Sequence, residues 1–158
     1  MSKITPFLWF NNNAEEAMNF YLSVFKNSKI NTIARYGEAG PGPKGSVMTA
    51  SFQLDGHDFV ALNGGPHYTI TPAISFWINC ETQQEVDHYW NSLSAGGQIQ
   101  RCGWLTDRFG VTWQVVPSIL PKLLQDKDPA KSQRVMKAML TMEKLDIAAL
   151  QQAYDKDN

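Results

Sequence analysis

The segment AISFWINCETQQEVDHYWNSL, Ala73–Leu93, predicts a strand that leads directly into a helix. Residues 73–80 are rich in aromatic and β-branched side chains, which favour a strand. Thr82 and Glu85 then form the Thr-x-x-Glu pattern of a helix start, and Gly96 follows where the helix would end. The segment is therefore a strand–helix unit with recognisable boundaries at both ends.

The same order occurs at the start of the chain. Ile4–Asn11 predicts a strand, and Asn13 is the predicted N-cap of an amphipathic helix that extends to Phe25. A shift of 68 residues without a gap places Trp9 on Trp77, and an asparagine and a tyrosine of the two segments also coincide. These matches predict that the chain contains two copies of one unit.

Three predicted strands follow each helix. They are Lys29–Tyr36, Val47–Leu54 and His57–Asn63 in the first half, and Gln98–Cys102, Trp104–Thr106 and Val111–Val116 in the second. Glycine-containing turns separate them, as expected for hairpins. One strand, one helix and three strands in each half predict a βαβββ repeat and an α+β fold.

From Pro117 onward the pattern is helical. Asp128 before Pro129, and Asp146 further on, are helix start signals. Apolar residues recur through this region and must cover a surface: Val135, Met136, Met139, Leu140, Met142, Ile147, Leu150 and Tyr154. We expect these helices to pack on their own domain rather than to act as a lid.

The composition argues against several classes of protein. With 158 residues, 43% of them hydrophobic and 18% charged, the chain suits one globular domain. Its formal net charge of −1 gives no electrostatic reason to expect nucleic acid or a membrane surface as a partner. The first residues lack the apolar run of a signal peptide, and two cysteines do not make a disulfide framework. We therefore expect a cytoplasmic protein.

Several segments resemble the PhnB-like branch of the vicinal-oxygen-chelate superfamily, whose members are often labelled demethylubiquinone methyltransferase-like. The segments are FLWFNNNAEEAMNFYLSVF, LNGGP, CETQQEVDHYW, CGWLTDRFGVTWQVVP and KAMLTMEKLDIAAL. The wider superfamily includes glyoxalase I, extradiol dioxygenases and bleomycin-resistance proteins. The resemblance implies two βαβββ modules that form curved mixed sheets with a ligand cleft on the concave side, and it implies a homodimer.

The predicted organisation follows from the repeats and the resemblance together. Residues 1–118 are expected to form a single domain of the glyoxalase/bleomycin resistance type. Its two repeats span residues of about 3–65 and 72–118. Residues 119–158, which we call the C-terminal extension, are expected to be helical.

The methyltransferase label has no support in the motifs. S-adenosylmethionine is commonly held by a glycine-rich turn between a strand and a helix. The glycine-rich segment GPGPKG, Gly40–Gly45, is interrupted by prolines and leads into a strand. We therefore do not expect methyl transfer.

The resemblance also identifies where a metal ion would be held. Metal-using relatives place a His, Glu or Gln at each of four strand positions, which correspond here to Thr5, Val60, Ala73 and Gln114. Only the glutamine among them can donate a ligand oxygen, and one neutral amide does not retain a divalent ion. The three histidines, His57, His67 and His88, share no ligand spacing, and His88 is expected to be half-buried in packing. We expect no metal and no other cofactor.

Five residues are predicted to line the cleft of such a fold. They are Trp9, Asn63, Trp77, Trp104 and Gln114. The tryptophans could stack on an aromatic ligand, whereas the amide of Gln114 and the backbone N–H groups after Asn63 could bind its polar atoms. If Gln114 points into the cleft, Trp113 must pack behind it, because sides alternate along a strand.

The leading hypothesis is a metal-independent protein that binds a small apolar or aromatic molecule. The alternative is an enzyme of the superfamily that acts on a small carbonyl or aromatic substrate, with Cys102 as nucleophile or with a weakly held metal. A third possibility is a scaffold whose cleft is filled by its own C-terminal helix. The carboxylates, including Asp107 in the last hairpin turn, are expected to be solvated or to cap helices.

Overall fold

The computed structural model describes residues 3–156, which form two compact units, one ending at Ile70 and the other beginning at Thr71. The first contains β1 (Phe7–Phe10), α1 (Ala14–Val24), β2 (Ser28–Arg35), β3 (Val47–Leu54) and β4 (His57–Asn63). The second contains β5 (Ser75–Cys80), α2 (Gln83–Ser94), β6 (Gln98–Ile99), β7 (Trp104–Thr106) and β8 (Thr112–Pro117). It continues with α3 (Ile119–Leu124), α4 (Pro129–Leu140) and α5 (Ile147–Asp155).

Each unit contains a four-stranded mixed sheet, and the two sheets have equivalent strand orders. The orders are β1-β4-β3-β2 and β5-β8-β7-β6. In each unit the first strand along the chain pairs in parallel with the last one, β1 with β4 and β5 with β8. The other neighbouring strands are antiparallel. The predicted order of one strand, one helix and three strands is thus confirmed in both halves, and the α+β fold with it.

The core of the first unit lies between its helix and its sheet. Met18 and Tyr21 on α1 are fully buried, as is Phe52 on β3, whose ring stacks on that of Tyr21 at 6.5 Å. The helix start differs from the sequence prediction. Asn13 makes no side-chain cap, and the first N–H of the helix, that of Ala14, instead donates to Oδ1 of Asn63 at 2.9 Å. A residue from β4 therefore caps α1.

The second unit confirms the predicted start of its helix. Oγ1 of Thr82 accepts a hydrogen bond from the N–H of Glu85 at 3.1 Å, and Oε1 of Glu85 accepts one from the N–H of Glu81 at 3.2 Å. These two bonds satisfy backbone donors that have no partner inside the helix. The helix buries Val86 and Leu93 completely on its inner face.

Strand β6 is shorter than predicted. The strand ends at Ile99, whereas the sequence predicts extended chain as far as Cys102. Cys102 and Gly103 have positive φ angles of 60° and 83°, which place both in the left-handed region. Because this conformation cannot continue a strand, the chain turns here before β7 begins.

The C-terminal helices pack within the second unit, as the sequence predicts. Side chains from α3, α4, α5 and their connections form an apolar cluster with the end of β8: Val116, Leu120, Leu123, Val135, Leu145 and Leu150. The predicted N-caps are confirmed, since Asp128 accepts from the N–H of Ala130 and Asp146 from that of Ala149, both at 3.0 Å. No helix within residues 3–156 has the length and apolar character needed to cross a membrane.

Candidate functional site

Three of the predicted cleft residues lie in a row on one face of the second sheet. Gln114 on β8 is the register partner of Trp77 on β5 and of Trp104 on β7. Register partners project from the same face, so the two indoles flank the amide. Trp77 is 52% exposed, and the other two side chains are half-buried. This row is the polar and aromatic part of the candidate site.

The opposite face of the sheet belongs to the core. Trp113 is 3% exposed and packs against the ring of Phe76 at 5.5 Å. Val115 and Leu105 on the same face are fully buried. The prediction that Trp113 lies behind Gln114 is therefore confirmed, and α2 covers this side.

Asp107 differs from the expectation of a solvated turn carboxylate. Its side chain accepts hydrogen bonds from the N–H groups of Phe109 at 2.8 Å and Val111 at 3.1 Å, and from Nε1 of Trp113 at 2.9 Å. The residue is only 3% exposed. A buried carboxylate needs such donors, because without them its burial would be strongly unfavourable. Asp107 thus fixes the turn and supplies the partner that a buried indole requires.

A cavity of about 340 Å³ is lined by the row of Trp77, Gln114 and Trp104. The rest of its lining comes from the turn after β6, the end of β8 and the C-terminal extension: Cys102, Val116, Leu120, Pro121, Leu124, Gln125 and Met139. Of the described residues, none with a charged side chain lines it. The structure thus brings together four of the six predicted site residues in one uncharged cavity.

The amide of Gln114 is held in place by a residue that the sequence analysis missed. Nε2 of Gln114 donates to Oγ of Ser75 at 2.9 Å. Oε1 accepts no hydrogen bond from the described residues, so it remains available as an acceptor. Ser75 lies two residues before Trp77 on β5, hence on the same face. The two-residue spacing between Ser75 and Trp77 could have identified Ser75 from the sequence.

Cys102 reaches the cavity through the left-handed turn after β6. Its N–H donates to the carbonyl of Met142 at 2.9 Å, and its thiol donates to the carbonyl of Met139 at 3.6 Å. The side chain is half-buried. A carbonyl oxygen accepts the thiol hydrogen bond but cannot take the proton as a base would. Cys102 therefore has the position of a site residue without a base among its hydrogen-bond partners.

The two cysteines are expected to differ sharply in reactivity. Burial raises the pKa of the Cys80 thiol to about 12, and the side chain is inaccessible. Because the thiolate is the reactive species, iodoacetamide at neutral pH should label Cys102 and leave Cys80 unmodified in the folded protein. Mass spectrometry of tryptic peptides gives the extent at each position, and labelling in urea serves as the control in which both react. Modification of Cys80 under native conditions would contradict this account.

Trp9 and Asn63 lie in the first unit and are engaged there. Nε1 of Trp9 donates to the carbonyl of Gly65 at 2.9 Å, and its ring meets that of Tyr68 edge-on at 5.0 Å. Nδ2 of Asn63 donates to the carbonyl of Val47 at 3.1 Å, while its Oδ1 caps α1 as described above. Both side chains therefore stabilise this unit, and no polar atom of the Asn63 amide is left without a partner.

The glycine turn after β4 is also occupied by internal bonds. The N–H of Gly64 donates to the carbonyl of Phe10 at 2.9 Å, and that of Gly65 to the carbonyl of Asn11 at 3.3 Å. These two backbone donors are therefore already bonded within the first unit. A Cβ at Gly64 would overlap the ring of Trp9, so the glycine is needed for the indole to pack. A second cavity of about 300 Å³ borders this turn.

The residues present do not fit a divalent metal site. Within residues 3–156, no group of three or more His, Cys, Asp or Glu side chains is arranged to hold a metal ion. At the four positions that the family resemblance assigns to metal ligands the sequence has Thr5, Val60, Ala73 and Gln114, and Gln114 is the only one of the four with an amide or carboxylate oxygen. His57, His67 and His88 are all exposed. For His88 this exposure corrects the expected half-buried packing role, and its ring meets that of the neighbouring Tyr89 edge-on at 5.0 Å.

The fold likewise does not fit S-adenosylmethionine held at a strand–helix turn. The segment between β1 and α1 is Asn11–Asn13, and that between β5 and α2 is Glu81-Thr82. Neither contains a glycine that would let the backbone approach a cofactor closely. The glycine-rich segment Gly40–Gly45 joins β2 to β3 instead.

Comparison with known proteins places the chain among related folds. A PhnB protein from Bacillus cereus is 41% identical, with a TM-score of 0.68, over 73% of this chain and 99% of its own. A protein from Pseudomonas aeruginosa is 26% identical, with a TM-score of 0.62, over 74% of this chain and 98% of its own.

A fosfomycin resistance protein from Listeria monocytogenes, solved with Mn(II) and a dihydroxypropylphosphonic acid, shares only the fold. It is 15% identical, with a TM-score of 0.50, over 72% of this chain and 89% of its own. No protein of curated function matches the chain. The family model described as 3-demethylubiquinone-9 3-methyltransferase matches residues 2–116. The chain therefore belongs to this PhnB-like family.

Proposed function

We propose that this protein binds an uncharged apolar or aromatic small molecule, without a metal ion, in the cavity of the second unit. The observation that carries the proposal is the grouping of Trp77, Trp104 and Gln114 around one cavity. Its volume of about 340 Å³ lies within the usual range for small-molecule sites. Apolar walls with a few convergent polar groups are also typical of such sites.

The chemistry of the lining favours a neutral ligand. An anion in this cavity would lose its hydration and meet no cationic side chain, which is strongly unfavourable. A planar ring could instead stack on the indoles of Trp77 and Trp104, with Oε1 of Gln114 accepting a hydrogen bond from an N–H or O–H of the ligand. The expected ligand is thus an aromatic molecule with a donor group at its edge.

A pair of fluorescent probes tests this proposal. N-phenyl-1-naphthylamine is uncharged and carries one N–H, and 8-anilinonaphthalene-1-sulfonate has the same skeleton with an added sulfonate. We expect the neutral probe to bind at least about tenfold more tightly, because the sulfonate would be buried without a partner. Trp77→Ala should weaken that binding about tenfold through the lost aromatic contact.

Tyr68→Ala provides the matched control, since Tyr68 is an exposed aromatic residue of the first unit outside the cavity. It should leave the affinity unchanged. Fluorescence titration of each variant measures the dissociation constants. If the sulfonate bound as tightly as the neutral probe, or if Trp77→Ala and Tyr68→Ala had equal effects, the cavity would not be the site.

One form of the enzyme alternative uses Cys102 as the nucleophile, and this residue lines the same cavity. A thiol at this position could add to a carbonyl carbon of a bound substrate once it is deprotonated. The third possibility, a cleft filled by the chain itself, is supported less well. The C-terminal extension lines the cavity and yet leaves about 340 Å³ open.

A further inference from the structure

We infer, on the basis of the proposed function, that the C-terminal extension is part of the ligand site and determines the size of molecule that the site accepts. The extension supplies half of the lining of the cavity, namely Leu120, Pro121, Leu124, Gln125 and Met139. The other half comes from the sheet and from the turn at Cys102. The site is incomplete without the extension.

The two halves of the wall differ in chemistry, although each includes one glutamine, Gln114 on the sheet and Gln125 in the extension. The sheet presents both indoles and the amide of Gln114, which can recognise the plane and the polar edge of a ring. Leu120, Leu124 and Met139 of the extension present aliphatic and thioether groups. Such groups make no directional bond to a ligand and act by the space they occupy. The extension therefore sets how far a ligand can reach from the sheet.

The extension is fixed to the module by hydrogen bonds close to this wall. The N–H groups of Cys102 and Gly103 donate to the carbonyls of Met142 and Glu143, at 2.9 and 2.8 Å. Val115 donates in turn to the carbonyl of Gly103 at 2.7 Å, which ties the turn to β8. The end of α4 is thus held at the turn that carries the cavity thiol.

A side chain of α2 holds the next part of the extension. Nε2 of Gln83 donates to the carbonyl of Leu145 at 3.1 Å, and Oε1 of Gln83 accepts from the N–H of Ile147 at 2.8 Å. The same amide therefore binds one backbone group of the α4–α5 connection and the first N–H of α5. With both ends of this connection attached, α4 has a defined position over the cavity.

Met139 lies one turn before these attachments and contacts the site directly. Its carbonyl accepts the hydrogen bond from the Cys102 thiol, and its side chain lines the cavity. An unbranched thioether side chain adapts its shape to what it contacts. Met139 is therefore the residue through which the extension most directly limits ligand size.

The extension lies outside the part of the chain that the family model matches. The family model ends at residue 116, and the Bacillus cereus relative is covered over 99% of its length by 73% of this chain. The aromatic row is contained in the matched part, since Trp77, Trp104 and Gln114 all precede residue 116. The size limit that we infer is thus specific to chains with this extension.

Two pairs of substitutions in the full chain test the inference. Met139 and Met142 both pack against the apolar cluster, and only Met139 lines the cavity. The probes are 1-naphthylamine and N-phenyl-1-naphthylamine, which differ by one phenyl ring. Met139→Ala should shift the ratio of their dissociation constants about tenfold in favour of the larger probe. Met142→Ala should leave the ratio unchanged within about twofold.

The second pair is Leu124→Ala with Ile119→Ala as its control. Both side chains pack against the apolar cluster, and of the two only Leu124 lines the cavity. This pair carries the test if Met139→Ala does not fold. A ratio that shifts equally in both members of each pair, or in neither, overturns the inference while leaving the proposed function intact. If the unmodified protein binds neither probe, the proposed function fails and the inference with it.

Discussion

Replacing Asp107 with alanine is expected to lower the free energy of unfolding by about 4 kcal/mol. The carboxylate is buried and accepts three hydrogen bonds, from the backbone N–H groups of Phe109 and Val111 and from Nε1 of Trp113. Alanine would leave these donors without their acceptor, and each buried donor left unsatisfied costs about 1–3 kcal/mol. Urea unfolding followed by circular dichroism measures the change.

Two further variants separate the contributions at this position. Asp107→Asn retains one oxygen for the turn and should lose less stability than alanine does. Trp113→Phe removes the indole donor, so the double variant with Asp107→Ala should lose less than the sum of the two single changes. If Asp107→Ala cost less than about 1 kcal/mol, the turn would not depend on this carboxylate.

Gly103→Ala is expected to lower the free energy of unfolding by about 3–4 kcal/mol. Gly103 has a φ of 83°, and a Cβ there would lie 2.7 Å from the carbonyl oxygen of Val115 and 2.9 Å from Cδ1 of Leu145. The left-handed backbone alone costs alanine about 1–2 kcal/mol. The close approach adds to this cost, because the turn must move away from β8 and from the C-terminal extension.

Gly110→Ala is the matched control, because it shares the backbone conformation of Gly103 and lacks the close contacts. Gly110 has a similar φ of 91°, and a Cβ there would meet no atom within 4 Å. It should therefore show only the conformational cost, of about 1–2 kcal/mol. The difference between the two alanine variants, measured by urea unfolding, reports the close packing at Gly103. Equal losses would show that this packing contributes nothing.

The fold could be predicted from the sequence because its signals are local and occur twice. Strand alternation, the helix start at Thr82 and the aspartates before α4 and α5 all act within a few residues. The repeat also predicts that the two halves have the same strand order, and the two sheets have equivalent orders. Alternation along β8 also separated Gln114 from Trp113 correctly.

Two features of the structure could not be predicted from local patterns in the sequence. The cap of α1 is supplied by Asn63, which lies 49 residues after the N–H that it accepts, while the local candidate Asn13 makes no such bond. Turn carboxylates are usually solvated, whereas Asp107 is buried and accepts hydrogen bonds from three donors only two to six residues away. Such choices depend on the packed structure, which a local pattern does not contain.

The candidate site also combines features that the sequence predicts with features that it does not. Trp9 and Trp77 occupy equivalent positions in the repeat, so the repeat predicts the same role for both. Trp9 is bonded to Gly65 and packs on Gly64, whereas Trp77 borders an open cavity. The face that the C-terminal extension turns toward the cavity was also unpredictable, because helical spacing identifies an apolar stripe without identifying its partner.

Trp9 gives the first unit its own optical signal. Of the five tryptophans in the sequence, it alone precedes Ile70, and the other four belong to the second unit. Trp9→Phe would therefore leave an emission spectrum that follows the second unit, and the difference from the unmodified protein would follow the first. During denaturation, two such curves with one midpoint would mean that the duplicated halves melt as one body, and separate midpoints would mean that each half melts independently.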